Sequence, residues 1–290
     1  MPELPEVETM VRGLRPALAG RRLRAVRVHD EFLLQGCDRV TFEKRARGRV
    51  VASVERRGKW VVLRLDAGLI VIQPRMTGAF WLIEPHRPEH VRLSFLVDGS
   101  SGSVRFCDAR RLGKIAWYAA DADAERAFAA SHGPDALAID VSDLAARLKR
   151  TGRAIKPTLL DQKVLAGVGN IYADEILFAA RLHPERPANR LRAPEVARLH
   201  AAIGDVLRRA IEAEGSSFDA HYHNVLGLEG GFLAENAVYG RAGLPCSACA
   251  RPIVRERIAG LIGRSTYFCP HCQPPPRRPQ KRARVPKASV

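Results

Sequence analysis

Apolar residues at Val7, Met10, Val11, Leu14 and Leu18 recur at three- and four-residue intervals, which predicts a helix over residues 3–18 with one face turned inward. Pro2 and Pro5 suit its first turn, where amide hydrogens lack intrahelical partners. Glu3, Glu6 and Glu8 suit the positive end of its dipole. From about residue 22 to 118 the texture changes to strands. RVVASVERRGKWVVLRLDAGLIVIQ, HVRLSFLV and SVRFCDARRLGKIAWY are rich in Val, Ile and aromatics, and are broken by turn signals at DAG (66–68) and DGSSG (98–102). Several strands with short connections predict a β-sandwich or flattened barrel. Beyond about residue 120 the pattern is helical again. Ser142 is the expected N-cap of a helix carrying Leu144 and Leu148, and Pro194 opens a longer helix with Val196, Leu199, Ile203, Val206 and Ala210 on one face. Between them, residues 156–180 read as two short helices joined through Gly167 and Gly169. The fold class expected is α+β, with no solenoid-type repeat.

Composition narrows the partners. The chain has 290 residues, enough for two modest domains with cores, and 46% hydrophobic content, ordinary for a globular protein. No apolar run approaches the roughly 18–20 residues of a membrane span, and no basic-then-apolar leader opens the chain, so a cytoplasmic location is expected. Lys and Arg number 47 against 31 Asp and Glu, for a net charge of +16 and a pI near 10.3. That excess favours polyanions over a merely solubilising surface or a membrane patch. Residues 274–290 (PPPRRPQKRARVPKASV) carry six basic residues and no acid. This tail is expected to be disordered and to add salt-sensitive, nonspecific affinity.

Four of the six cysteines form Cys246-x2-Cys249-x19-Cys269-x2-Cys272. Paired CxxC knuckles at this spacing fit a four-thiolate tetrahedral zinc site, structural because no position remains for a catalytic water. His271 is expected to be exposed, and Cys37 and Cys107 to be small buried apolar groups. Between the knuckles, Arg251, Arg255, Arg257 and Arg264 would make a zinc-pinned hairpin a phosphate clamp.

PELPEVET, RRGKW, IKPTLLDQKVLAGVGNIYADE and the hairpin ending RSTYFCPHCQ occur in this order, and together they resemble the formamidopyrimidine-DNA glycosylase family, which also holds endonuclease VIII. The likeness spans about residues 2–273. It implies an N-terminal helix plus β-sandwich catalytic domain (1–125), a helix–two-turn–helix domain (126–240), a β-hairpin zinc finger (241–273) and the basic tail (274–290), with double-stranded DNA lying across a cleft. It also implies a bifunctional enzyme of base-excision repair. Such an enzyme removes 8-oxoguanine and formamidopyrimidines, or acts at abasic sites, and nicks the strand by β,δ-elimination. A monomer associated with the bacterial nucleoid is expected.

By the same resemblance, Pro2, freed by removal of Met1, is the amine nucleophile; an α-amino group, with an ordinary pKa of about 7.7–8.0, is partly neutral near neutral pH. Glu3 corresponds to the proton-transfer residue, and Glu6 to an acid that stabilises the opened sugar or holds Glu3. Lys59 corresponds to the β-hairpin lysine, counted with the catalytic residues, that meets phosphate or the lesion near the amine; Asn170 and Arg264 correspond to residues that pinch the phosphates flanking the lesion, and Lys156 to a lysine near the damaged base. Met76, Arg110 and Leu112 correspond to residues that fill the space left by the extruded nucleotide, with Arg111 contacting phosphate. The family usually has Phe where Leu112 stands and His where Gln73 stands, and the separation between the knuckles is a few residues longer than the family's, near IAGLIG. The lesion-capping stretch is expected within residues 215–232. PELPE rather than PEGPE favours the purine branch over endonuclease VIII, and a non-catalytic zinc-containing DNA binder is the alternative of another class.

Overall fold

The computed structural model describes residues 2–82, 89–100, 102–217 and 223–276. Residues 277–290, most of the basic tail, and 218–222 of the expected capping stretch lie outside the described residues. The chain enters α1 (Leu4–Leu18) with the Glu3 amide donating to Glu6 Oε2 at 2.8 Å. There follow β1 (Leu23–Val28), β2 (Leu34–Gln35), α2 (Arg39–Ala46), β3 (Val51–Arg57), β4 (Trp60–Leu65), β5 (Leu69–Gln73), β6 (Gly78–Trp81), β7 (Val91–Val97), β8 (Ser103–Asp108) and β9 (Lys114–Tyr118). Two sheets result, in the orders β1-β7-β8-β6 and β2-β9-β5-β4-β3, antiparallel throughout except for β2 beside β9.

The expected sandwich is present, with α1 part of its core. Val7, Met10, Leu14 and Leu18 are buried with Phe80, Leu93, Phe95 and Phe106 of one sheet and Val54, Leu63, Ile70, Ile72 and Ile115 of the other. The near-continuous apolar run of β5 has a two-sided cause. Ile70 and Ile72 face the sandwich core, whereas Leu69 and Val71 face outward and are covered by Ala124 and Phe128 of α3 (Asp121–Ser131).

The second core belongs to α4 (Val141–Lys149), α5 (Ile155–Leu160), α6 (Asn170–Ala179) and α7 (Ala193–Glu212). Leu4 of α1 is buried in it, so the first turn of the chain is built into both halves. A further tie is Arg56, which holds Asp135 through two nitrogens (2.5 and 3.2 Å) while the Gly58 amide donates to the same carboxylate at 2.8 Å. The last unit is the hairpin of β10 (Val254–Glu256) and β11 (Thr266–Phe268).

Two local expectations are corrected. The N-cap of α4 is Asp140, whose Oδ1 accepts from the amides of Ser142 and Asp143; Ser142 lies inside the helix and donates its hydroxyl to the same oxygen. A short helix, α2, interrupts the stretch read as strands. It buries only Phe42 and Ala46, too few apolar positions to show a period, and Asp38 caps it.

Candidate active site and nucleic-acid interface

The start of the chain is held by acids rather than left loose. Glu3 and Glu6 are each only 2% exposed. Glu3 Oε1 accepts from the Ile171 amide (3.0 Å), so the carboxylate caps α6 from outside that helix and sits at the positive end of its dipole. The Leu4 amide donates to the Gly167 carbonyl at 3.1 Å. Glu3 Oε2 is buried and has no hydrogen-bond partner, an orphaned acceptor beside Pro2, itself buried. Glu6 takes the opposite role. Besides the Glu3 amide it accepts from the Tyr172 hydroxyl (2.5 Å) and the Ser216 amide (2.8 Å). Burial, with the nearby Glu3 charge adding, raises the Glu6 pKa above the ordinary carboxylate range, and the hydrogen bonds oppose that rise.

Glycine is required where α6 approaches. A Cβ on Gly169 would lie 2.2 Å from the Glu3 carboxyl carbon, and one on Gly167, whose φ is +115°, would lie 2.5 Å from Leu4 Cδ1. Lys59, in the turn between β3 and β4, reaches the same place and donates to the Val168 carbonyl at 3.0 Å. Burial pushes its amine below the ordinary lysine value; Glu3 opposes this and Arg264 adds to it. Arg264 directly precedes Ser265, whose carbonyl accepts from Asn170 and Lys156, and its own side chain is exposed. Asn170 opens α6 and donates to the Ser265 carbonyl (3.2 Å), while its own Oδ1 is buried without a partner. Pro2, Glu3, Glu6, Lys59, Asn170 and Arg264 are thus drawn from four separated segments toward the N-terminus of α6.

Lys156 differs from its expectation. It is wholly buried, paired with Asp174 at 2.7 Å, and donates to the Ser265 carbonyl and the Thr266 hydroxyl, both at 3.0 Å. Asp174 Oδ2 in turn accepts from the Tyr267 amide at 2.9 Å. Burial lowers the lysine and raises the aspartate pKa, each opposed by the partner's charge. A lysine so enclosed has no free donor surface for a base; it fastens the hairpin, one residue from Arg264, to the helical core.

Met76 (37% exposed) and Leu112 (40%) stand on the surface. Their loops leave the paired strands β6 and β8 together, since Gly78 faces Asp108. Asp108, fully buried, ties them: Oδ1 accepts from the Thr77 hydroxyl (2.5 Å) and the Arg110 amide (3.2 Å), and Oδ2 from the Gly113 amide (2.6 Å). Arg110 is exposed. Arg111 is not free as a phosphate contact: it grips Asp30 at 2.6 and 2.9 Å and lies 5.0 Å over the Phe32 ring.

The four cysteine sulfurs lie within 4.8 Å of one another, with Cys246 and Cys272 at 3.9 Å and Cys249 and Cys269 at 3.5 Å. Zinc–sulfur bonds of about 2.3 Å in a tetrahedron separate sulfurs by about 3.8 Å. The Ala248 and Cys272 amides point at Cys246 and Cys269 sulfurs (3.4 and 3.5 Å), as suits thiolates. The site fits one zinc with a closed shell. His271 is exposed and outside it.

Asp108, Tyr172, Asp174 and Ser216 escaped the sequence reading. Their functional signal is burial of a polar group, which no short motif encodes, although Asp108 opens DARRLG and Tyr172 and Asp174 lie inside NIYADE.

Family models match three consecutive regions: the formamidopyrimidine-DNA glycosylase N-terminal domain at residues 1–115, the formamidopyrimidine-DNA glycosylase H2TH domain at 132–221, and a zinc finger found in FPG and IleRS at 243–275. Among similar curated proteins, the formamidopyrimidine-DNA glycosylase of Thermus thermophilus is 43% identical over 94% of this chain and 98% of its own length, and that of Symbiobacterium thermophilum 40% over 95% and 90%. Among solved structures, the MutM (Fpg) protein of Thermus thermophilus superposes with a TM-score of 0.82 at 40% identity, covering 94% of this chain and 98% of that one. The Lactococcus lactis Fpg in complex with abasic-site DNA superposes with a TM-score of 0.85 at 30% identity, covering 94% and 100%.

Proposed function

The chain belongs to the formamidopyrimidine-DNA glycosylase family, and from that premise we propose that it excises oxidised purines, 8-oxoguanine and formamidopyrimidines, through a Schiff base on Pro2 and then breaks the strand on both sides of the lesion. Membership makes it a DNA glycosylase with AP lyase activity that repairs damaged bases, with one structural zinc. Solved relatives hold abasic-site DNA and Fapy-dG-containing DNA, the substrate class this reading assigns here. Among the described residues no helix is long and apolar enough to cross a membrane. A cytoplasmic, nucleoid-associated monomer is part of the same proposal.

The observation that carries it is the Glu3 carboxylate. One oxygen is fixed by the N-terminus of α6 and the other is buried and unpartnered, immediately next to Pro2 and close to Lys59. With Met1 removed, the Pro2 nitrogen is a secondary amine. Its lone pair forms a bond to the sugar C1′ as the bond to the base breaks; the base takes a proton from solvent, and the Pro2 nitrogen passes its own proton to the Glu3 carboxylate. Glu3 delivers that proton to the ring oxygen as the sugar opens, giving an iminium ion between Pro2 and C1′. The iminium acidifies C2′–H. Removal of that proton expels the 3′ phosphate, a second elimination expels the 5′ phosphate, and water releases Pro2 from the sugar fragment.

Glu6 acts as a positioning residue, holding the Glu3 amide. Lys59, Asn170 and Arg264 take the phosphates flanking the lesion. Met76, Arg110 and Leu112 fill the gap left by the extruded nucleotide, which costs a few kcal/mol to unstack. Arg111 braces their loop through Asp30, and Lys156 braces the hairpin.

A panel of duplexes carrying one 8-oxoguanine, formamidopyrimidine or oxidised pyrimidine tests the assignment. Purine lesions should be cut fastest, leaving phosphate on both sides of the gap. Preference for oxidised pyrimidines would place the chain in the endonuclease VIII branch, and binding without scission of any lesion would make it a DNA-binding protein.

A further inference from the structure

Ile262 is 99% exposed, the extreme among the described large apolar residues, and it lies two positions before Arg264 at the tip of the zinc hairpin. Its exposure does not come from a loose loop. On one side Ile258 is buried at 5% exposure; on the other the Ser265 carbonyl accepts from both Lys156 and Asn170. Between these anchors, Gly260 and Gly263 adopt φ of +83° and +70°, left-handed values that turn the chain sharply. The base of the tip is seated beside α5, where a Cβ on Gly260 would lie 3.9 Å from the Pro157 ring and Leu261 and Leu160 line one groove. Ile262 is therefore presented outward on a built turn, where an isoleucine gains nothing from water.

We propose that Ile262 is an apolar contact to the DNA duplex beside the lesion, packing on sugar faces in the groove that the hairpin enters. The proposal rests on the assignment of Arg264 and Asn170 as phosphate contacts. Charge identifies the occupant. Arg255, Arg257 and Arg264 belong to the same hairpin, and Ser265, next to Arg264, is held by Asn170, whose neighbour Ile171 holds Glu3, so the tip borders the cleft. A surface that is cationic around a single projecting apolar side chain is complementary to a phosphate backbone with a groove between its strands. The contact would add affinity without neutralising a phosphate. It thereby supplies binding that salt does not weaken, next to Arg264, whose contribution salt does weaken.

The salt dependence of binding separates this role from others. Zinc-loaded full chain, Ile262→Ser and Ile262→Leu are titrated against a duplex with one tetrahydrofuran abasic analogue over a series of salt concentrations. Ile262→Ser should weaken binding about tenfold at every salt concentration, the order expected for losing one partly buried aliphatic contact. The slope of log affinity against log salt should not change, and Ile262→Leu should stay within about twofold of the parent. Unchanged affinity in Ile262→Ser would overturn the proposal, as would a shallower slope, because then the substitution acts by displacing Arg264. A concentration-dependent mass in the parent that Ile262→Ser abolishes would also overturn it, assigning the residue to self-association. Borohydride trapping on an 8-oxoguanine duplex at saturating enzyme serves as the control. Its failure in the parent would count against the Pro2 chemistry, whereas normal trapping with unchanged Ile262→Ser affinity would count against this contact alone.

Discussion

At the residue scale, the site depends on close approach more than on any single strong bond. Gly169 has to be glycine because its position abuts the Glu3 carboxylate. Gly169→Ala should displace Glu3 and slow single-turnover base excision about 100-fold, the effect expected of roughly 1 Å misplacement, with little change in lesion-duplex affinity. Equal excision rates would show that Glu3 position is not limiting. Lys59 gives a pH signature. Because burial lowers its pKa, the free enzyme loses this cation at a lower pH than an ordinary lysine near about 10.4. The alkaline limb of kcat/KM, which reports the free enzyme, should turn down below that value, and Lys59→Arg should move it upward. In stability the sign runs the other way. Between the folded and unfolded pKa values the unfolded chain holds the extra proton, so the Lys59 contribution rises with pH across that window. An alkaline limb insensitive to Lys59→Arg would remove Lys59 from the rate profile. Pro2, Glu3 and Lys59 were legible because they sit in contiguous motifs. Asp108 and Tyr172 were not, because their roles come from partners in other segments: Thr77 for Asp108, and Glu6 for Tyr172.

At the element scale, strands and long helices were legible from their period, and short capped pieces were not. α7 announces itself through five apolar positions on one face, whereas α2 buries two side chains and is marked chiefly by Asp38. The zinc hairpin was legible from cysteine spacing, but not its fastening to α5 and α6 through the Lys156–Asp174 pair. Lys156→Met or Asp174→Leu alone strands a buried charge and should destabilise the fold by about 3–5 kcal/mol. The double variant should recover most of that stability, as read by thermal melting, because a buried ion pair is often replaceable by apolar groups. It should not recover tight binding to an abasic-analogue duplex, because the Thr266 hydroxyl and Tyr267 amide lose their partners and the Ser265 carbonyl keeps only Asn170. Wild-type affinity in the double variant would show that the hairpin needs no such fastening.

At the scale of the whole molecule, the two cores share the first turn of the chain: Val7 and Met10 pack in the sandwich, Leu4 in the helical core, and Glu3 on the N-terminus of α6. The order of motifs made the architecture legible, but how the halves meet was not, because Arg56–Asp135 and Lys59–Val168 join residues about 80 and 110 positions apart and no local pattern records such pairs. Both halves fold onto the start of the chain, where Pro2 is buried, and the chemistry proposed here depends on its nitrogen. Its most direct test is to reduce the enzyme–DNA intermediate with borohydride on a duplex holding one 8-oxoguanine and to map the linkage by peptide mass spectrometry. The sugar remnant should be found on the nitrogen of Pro2, at the start of a chain that has lost Met1; a remnant on Lys59 or on any other side chain would contradict the account.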